Sequence, residues 1–146
     1  LPYYCLAFLC SNEFLQRKVE VFRRGGGSLA ELKFSTVEEY LGSLDPVKAG
    51  TLRSIIDFIL TEFPDLEAKI AWNIPQIHRD GKYVVGVCAY KHHLTYAPWS
   101  ARVLDVYRPR LEKYPVFKNC FQIPVDWEID KELIKDMLNA RLAELE

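Results

Sequence analysis

Apolar residues recur along this chain in two rhythms. Between residues 46 and 63 they follow a helical period, with Leu52, Ile55, Ile56, Ile59, Leu60 and Phe63 on one stripe. Asp45 as N-cap and Pro46 at the first helical position open that helix, and Pro64 closes it. Burying such a stripe is worth roughly 1.5–3 kcal/mol per large side chain before the entropy of ordering. Between residues 70 and 98 the rhythm changes. The stretch IAWNIPQIHRDGKYVVGVCAYKHHLTYAP holds three apolar runs separated by two breaks. Asp80-Gly81 suits a tight type I′ hairpin turn, and Lys91-His92-His93 is a looser break. The pattern predicts an antiparallel meander with strands at Lys69–His78, Lys82–Tyr90 and Leu94–Ala97.

The flanks read as helices that need this sheet. Ser35 and Thr36 each have a glutamate three residues on, Glu38 and Glu39, which is a capping box in either register. A short helix through Tyr40 and Leu41 follows and fails near Gly42-Ser43. After the meander, Pro98-Trp99-Ser100 opens a helix to about Arg108, with Val103, Leu104 and Tyr107 on its apolar side. Pro109 and Pro115 keep the next segment irregular. Cys120-Phe121-Gln122-Ile123, closed by Pro124, reads as one further strand at an edge. Asp130 caps a last helix whose core face is Leu133, Ile134, Met137, Leu138, Leu142 and Leu145. Residues 1–34 read as an N-terminal extension. Ser11 or Asn12 caps a short helix bearing Phe14, Leu15, Val19 and Phe22, and Gly25-Gly26-Gly27-Ser28 forms a flexible joint. The arm packs on its own domain or covers a neighbouring subunit.

Composition narrows the class. The chain of 146 residues is 49% hydrophobic, which suits one folded domain with a real core. A net charge of -1 gives no field favouring nucleic acid, and four basic residues on the N-terminal helix are too few to change that. No apolar run approaches the about 20 residues of a membrane span. Cys5, Cys10, Cys88 and Cys120 form no CxxC pair and read as reduced, mainly buried thiols of a cytosolic protein. The single methionine is Met137, so the chain, which starts at Leu1, is expected to be a fragment or a processed form.

The order of segments from about residue 35 to 146 resembles the YdhG-like domains, a family largely of unknown function. The residues carrying the resemblance are Thr36-Val37-Glu38-Glu39-Tyr40-Leu41, Ile70-Ala71-Trp72-Asn73-Ile74-Pro75, Ala89-Tyr90-Lys91-His92-His93-Leu94, Tyr96 and Phe121-Gln122-Ile123-Pro124. Two departures stand out. The family tends to have Gly-Met-Pro where this chain has Asn73-Ile74-Pro75, and a Tyr-Pro-Gly turn where it has Tyr96-Ala97-Pro98-Trp99. Losing those glycines changes how closely a backbone or ligand can approach. The resemblance implies an α+β domain: a small antiparallel sheet, the meander plus one strand, with helices on one side and the other side open to a ligand or partner. Some members are described as frataxin-like intracellular iron chaperones, so it also implies iron binding and delivery to a metal-receiving protein.

The residues themselves leave the chemistry open. His92 and His93 draw attention as metal ligands, but adjacent side chains on an extended chain point to opposite faces. Cys88 and His92 would lie about 13 Å apart along a strand, too far for one ion. A metal site therefore needs donors from elsewhere, such as His78, Cys120, Asp57, Glu62 or the carboxylates of Glu38 and Glu39. The metal candidates are His92, His93, Glu38 and Glu39, weighed against ordinary polar loop histidines and solvated helix faces. An organic ligand needs aromatic walls with a few polar groups. Trp72, Tyr83, Tyr90, Tyr96 and Trp99 lie on or beside the meander, and Trp72, Tyr90, His92 and Tyr96 are the candidate ligand contacts. Core packing is the competing role for each ring. No GxSxG, HExxH or dinucleotide fingerprint occurs, and Cys88 and Cys120 lack any nucleophile signature. The expectation is a non-enzymatic cytosolic binding protein, carrying iron, holding a small organic ligand on the aromatic face, or acting as a homodimer.

Overall fold

The computed structural model describes residues 33–146. The expected helix and joint between residues 11 and 28, with Cys5 and Cys10, lie outside the described residues. Helix α1 spans Val37–Gly42 and α2 Pro46–Glu62. Four strands follow, β1 Glu67–Ala71, β2 Ile74–Arg79, β3 Lys82–Ala89 and β4 Leu94–Ala97. Then come α3 Ala101–Tyr107, a 3₁₀ turn at Arg108–Leu111, β5 Phe121–Ile123 and α4 Lys131–Glu144. The strands form one antiparallel sheet in the order β1-β2-β3-β4-β5, with the helices packed against it. This is the expected α+β architecture, with the late strand at an edge.

The caps read from the sequence are in place. The Thr36 hydroxyl accepts from the Glu39 amide, and the Glu39 carboxylate accepts from the Ser35 amide. Asp45 accepts from the Lys48 amide above Pro46, and Asp130 accepts from the Leu133 amide. Each such cap satisfies an amide that the first helical turn leaves unpaired. Leu52, Ile55, Ile56 and Ile59 of α2 are buried, as are Leu133, Ile134, Met137, Leu138 and Leu142 of α4.

The meander differs from expectation at its start. The first expected strand is two strands, folded back at Trp72-Asn73. Ala71 pairs with Ile74, so the hairpin has a two-residue loop. Both loop residues have positive φ, 52° at Trp72 and 64° at Asn73, as a type I′ turn requires. The expected hairpin turn at Asp80 (φ 52°) and Gly81 (φ 82°) likewise has two residues at positive φ. Asn tolerates this backbone, which is the local signal for the first turn; a tryptophan there gives none.

The resemblance also implied an open second face. Over the middle of the sheet that face is closed. One face carries Ile77, Val85, Val87, Leu94, Tyr96 and Phe121, all buried. On the other, Gln76, Cys88 and Thr95 are 0%, 2% and 3% exposed. Both faces of β3 and β4 are therefore interior over most of their length, and the accessible rings of the meander lie at the β1–β2 turn, at the start of β3 and just after β4.

Candidate functional site

Three half-buried rings meet on the Gln76 face. The ring centroids of Trp72 and Tyr83 are 5.1 Å apart, those of Trp72 and Trp99 5.6 Å, and those of Tyr83 and Trp99 5.1 Å. Each reaches this point through an irregularity of the backbone. Trp72 sits in the β1–β2 turn at positive φ. Trp99 has φ 57°, also left-handed. Holding a bulky L-residue there costs about 1–2 kcal/mol. Tyr83 is re-aimed by a bulge. Ile77 opposes Val85 but His78 opposes Tyr83, so one extra residue of β3 is accommodated and Tyr83 turns to the face of Gln76. In an unbroken strand it would lie on the Val85 face.

The floor of the cluster is a row across three strands. Gln76 pairs with Gly86, and Gly86 with Ala97. Gly86 has no side chain and Ala97 only a methyl, so the Trp99 indole reaches back across β3. Its Nε1 donates to Gln76 Oε1 at 2.8 Å. An indole N–H can only donate, so this bond fixes the amide: Oε1 faces Trp99, and Nε2 is left with its two N–H groups. Gln76 is wholly buried, and Nε2 has no hydrogen-bond partner. Lys69 opposes Gln76 on the same face of β1, and its Nζ lies 5.3 Å from the Tyr83 ring centroid.

The last helix holds two edges of this cluster. Arg141 donates from Nε and Nη2 to the Tyr83 carbonyl at 3.1 and 3.0 Å. One turn on, Glu144 Oε2 accepts from Ser100 Oγ and Arg102 Nε, each at 3.0 Å. Ser100 follows Trp99 and is the N-cap of α3. Burial pushes the Glu144 carboxyl up, but the hydrogen bonds from Ser100 and Arg102, with the charges of Arg102 and Arg141, hold it below the ordinary carboxylate value.

Of the residues singled out as ligand contacts, Trp72 lies in this cluster. Tyr90 is buried with its ring stacked on His93 at 4.9 Å, and His92 is exposed on the β3–β4 turn. Tyr96 is fully buried against Phe121 and so has no surface to offer a ligand; burial pushes its phenol far above the ordinary value. Gln76 carried no sequence signal, because a buried amide looks like any polar strand residue until its neighbours are known. Tyr83 and Trp99 were visible as aromatics, but the bulge and the left-handed turn that aim them are not periodic features.

The metal candidates do not converge. Both oxygens of Glu38 are engaged by Arg53 at 2.8 and 2.7 Å, and these hydrogen bonds lower its pKa. Glu39 is occupied by the Ser35 amide. Among the described residues, no group of three or more His, Cys, Asp or Glu side chains is placed to hold one ion. Cys88 and Cys120 are buried.

A cleft of about 500 Å³ lies by β5, lined in part by His93, Lys113, Tyr114, Gln122, Asp126 and Trp127. Trp127 Nε1 donates to Tyr114 Oη at 3.0 Å, which satisfies the indole N–H.

The fold is that of a YdhG-like α+β protein, as the resemblance implied. A DUF1801-family protein, YdhG of Bacillus subtilis, superposes with a TM-score of 0.70 at 23% identity, over 75% of this chain and 90% of that one. An uncharacterised conserved protein from Lactobacillus casei superposes with a TM-score of 0.51 at 20% identity, over 75% and 91%. In sequence, 102 residues are 26% identical to a Bacillus subtilis (strain 168) protein named intracellular iron chaperone frataxin, covering 68% of this chain and 83% of that relative. No family model matches the chain. Both glycine departures noted in the sequence fall at left-handed positions: Asn73 and Trp99 keep a backbone that favours glycine and add side chains to it.

Among the described residues, no helix is long and apolar enough to cross a membrane.

Proposed function

We propose that this chain is a binding protein without covalent chemistry of its own, and that its cargo is a small organic molecule seated at the Trp72, Tyr83 and Trp99 cluster. The observation that carries this reading is the buried amide of Gln76, whose Nε2 is unpartnered beneath those rings. A buried donor left unpaired costs roughly 1–3 kcal/mol, and a site that binds an acceptor recovers that cost on binding. Two left-handed tryptophans and a bulge at one point support the same reading, because backbone strain of this kind gathers at ligand sites. A cytoplasmic location belongs to the proposal and is supported by the relative named as an intracellular iron chaperone.

The test is a ligand-observed saturation-transfer screen of planar aromatic fragments against the full chain and its Trp99→Ala variant. The reading expects hits that are lost in the variant. Hits equally strong in both would remove the cluster from the account.

Iron handling is a second reading, favoured by the relative named as an iron chaperone. Here it would rest on exposed carboxylates that hold a hard cation loosely rather than on a closed ligand set. Anaerobic Fe(II) calorimetry on the full chain, beside a Glu38→Gln/Glu39→Gln variant and a His92→Ala/His93→Ala variant, decides it. Saturable binding lost in either variant supports iron. Absence of binding sets it aside.

A further inference from the structure

We propose that the cleft beside β5 is a second binding site, separate from the ring cluster, and that it takes a small primary organic amine in its ammonium form. At about 500 Å³ the cleft has room for a small molecule as it stands. Its ligand class follows from the donors and acceptors along its walls. The bridge between Val116 and Phe121 sets Pro115 opposite Gln122. The Gln122 N–H donates to the Pro115 carbonyl at 2.9 Å, so the Gln122 backbone faces away from β4. The return bond of this antiparallel pair would need an N–H at Pro115, and proline has none. The Gln122 carbonyl therefore lacks its ladder donor, at a wall of the cleft that Pro115 and Gln122 share.

The neighbouring N–H groups are spent. Pro124 has none, the Trp127 backbone N–H donates to the Pro124 carbonyl at 3.1 Å, and the Trp127 indole N–H donates to Tyr114. The acceptors are not spent. Asp126 and Glu128 line the same cleft, are exposed, and form no ion pair among the described residues. Tyr114 and Trp127 meet edge to face, with centroids 6.1 Å apart at 88°, and make an aromatic corner. The Tyr114 ring already carries a cation: Lys113 Nζ lies 5.7 Å from its centroid. Lys113 is exposed and is the opposing charge on this wall. A carbonyl short of a donor, two carboxylates and an aromatic corner are matched by a cation that bears N–H groups. The ligand ammonium donates to the Gln122 carbonyl, faces Asp126 and Glu128, and competes with Lys113 for the Tyr114 ring.

Benzylamine, benzyl alcohol and benzyltrimethylammonium share a ring and differ in charge and in N–H groups. Each is titrated into the ¹⁵N-labelled full chain while the Trp127 indole resonance is followed, with 2-naphthoate, an aromatic anion, as counter-probe. The resonance should move saturably with benzylamine, at about tenfold tighter binding than with the alcohol or the trimethylammonium, and stay in place with 2-naphthoate. Asp126→Asn with Glu128→Gln should weaken benzylamine binding several-fold, and Lys113→Gln should tighten it by removing the competing cation. These positions are exposed, and circular dichroism checks that each variant folds. Equal binding of amine and alcohol overturns the selection of a cation. Equal binding of amine and trimethylammonium overturns the role of the Gln122 carbonyl, and with it the primary amine. Binding that the carboxylate variant leaves unchanged, or that Lys113→Gln fails to tighten, overturns the proposal, as does a Trp127 resonance that benzylamine does not move. The ring cluster is read separately, by the resonances of Trp72 and Trp99, so failure here and failure there are distinguishable.

Discussion

Trp99 and Gln76 lie two strands apart and are joined by a single 2.8 Å hydrogen bond over the bare backbone of Gly86. The bond reaches from the segment after β4 to β2, across roughly twice the 4.7–4.9 Å spacing between strands, a gap that a short side chain does not cross. It couples the segment before α3 to the middle of the sheet. It also fixes the orientation of the Gln76 amide, whose Nε2 has no partner.

Breaking that bond from one side should cost more than removing both partners. Trp99→Phe keeps a ring but leaves the whole Gln76 amide buried and unpaired, and is expected to destabilise by about 1–3 kcal/mol. Adding Gln76→Leu should recover part of that loss, since a buried apolar side chain has nothing to satisfy. Urea unfolding of the four proteins in the cycle measures this. A double variant less stable than Trp99→Phe alone would mean that the amide is satisfied by another route.

The Asp80-Gly81 turn offers a direct test of left-handed backbone. Asp80 has φ 52° and is exposed, so its side chain has little packing to lose. Asp80→Asn or Asp80→Gly is expected to be nearly neutral. Asp80→Val should cost about 1–2 kcal/mol, because a β-branched residue resists that conformation. Thermal unfolding of the three variants reads the difference.

The α4 clamp should weaken in acid. The Glu144 carboxyl is held below its ordinary value of 4.5 in the folded chain. Its contribution to stability is therefore fully present above pH 4.5 and is lost as pH falls through the lower, folded value. The stability gap between wild type and Glu144→Gln should be constant above that point and close below it. Urea titrations from pH 6 to 3, as approximate limits, follow this window. A gap that closes as pH rises would contradict the clamp.

Arg141→Met should act on Tyr83 without touching its ring. It removes two donors from the Tyr83 carbonyl at the bulged start of β3. The expected outcome is a weaker near-ultraviolet circular dichroism signal from the Tyr83–Trp99 stack with the far-ultraviolet spectrum kept. A near-ultraviolet spectrum identical to wild type would show that the bulge holds Tyr83 unaided.

The elements set by local chemistry were legible in the sequence. Asp45-Pro46, Thr36 and Asp130 mark helix starts because a capping oxygen must lie within three residues of the amide it satisfies. Asp80-Gly81 marks a hairpin because that pair takes positive φ readily. The candidate site was legible only in part. Trp72 was identifiable as an aromatic beside the meander, yet nothing in its type announces a turn, and one continuous strand was expected through it. Tyr96 and Tyr90 had the same credentials and are interior. What separates them is the register of β3 on β4 and the bulge opposite His78, both set by tertiary pairing rather than by nearby residues. Gln76 acquires its meaning only from Trp99, which stands 23 positions away.

The most direct measurement follows the indole N–H resonances of the three tryptophans while 2-naphthoate is titrated into the ¹⁵N-labelled full chain. Trp72 and Trp99 should shift together and saturably, because both rings line the proposed site. Trp127, whose Nε1 is satisfied by Tyr114, should stay in place. A shift confined to Trp127 would move binding to the cleft beside β5. Three unmoved resonances at saturating probe would contradict the claim that the cluster over Gln76 is a binding site for this class of ligand.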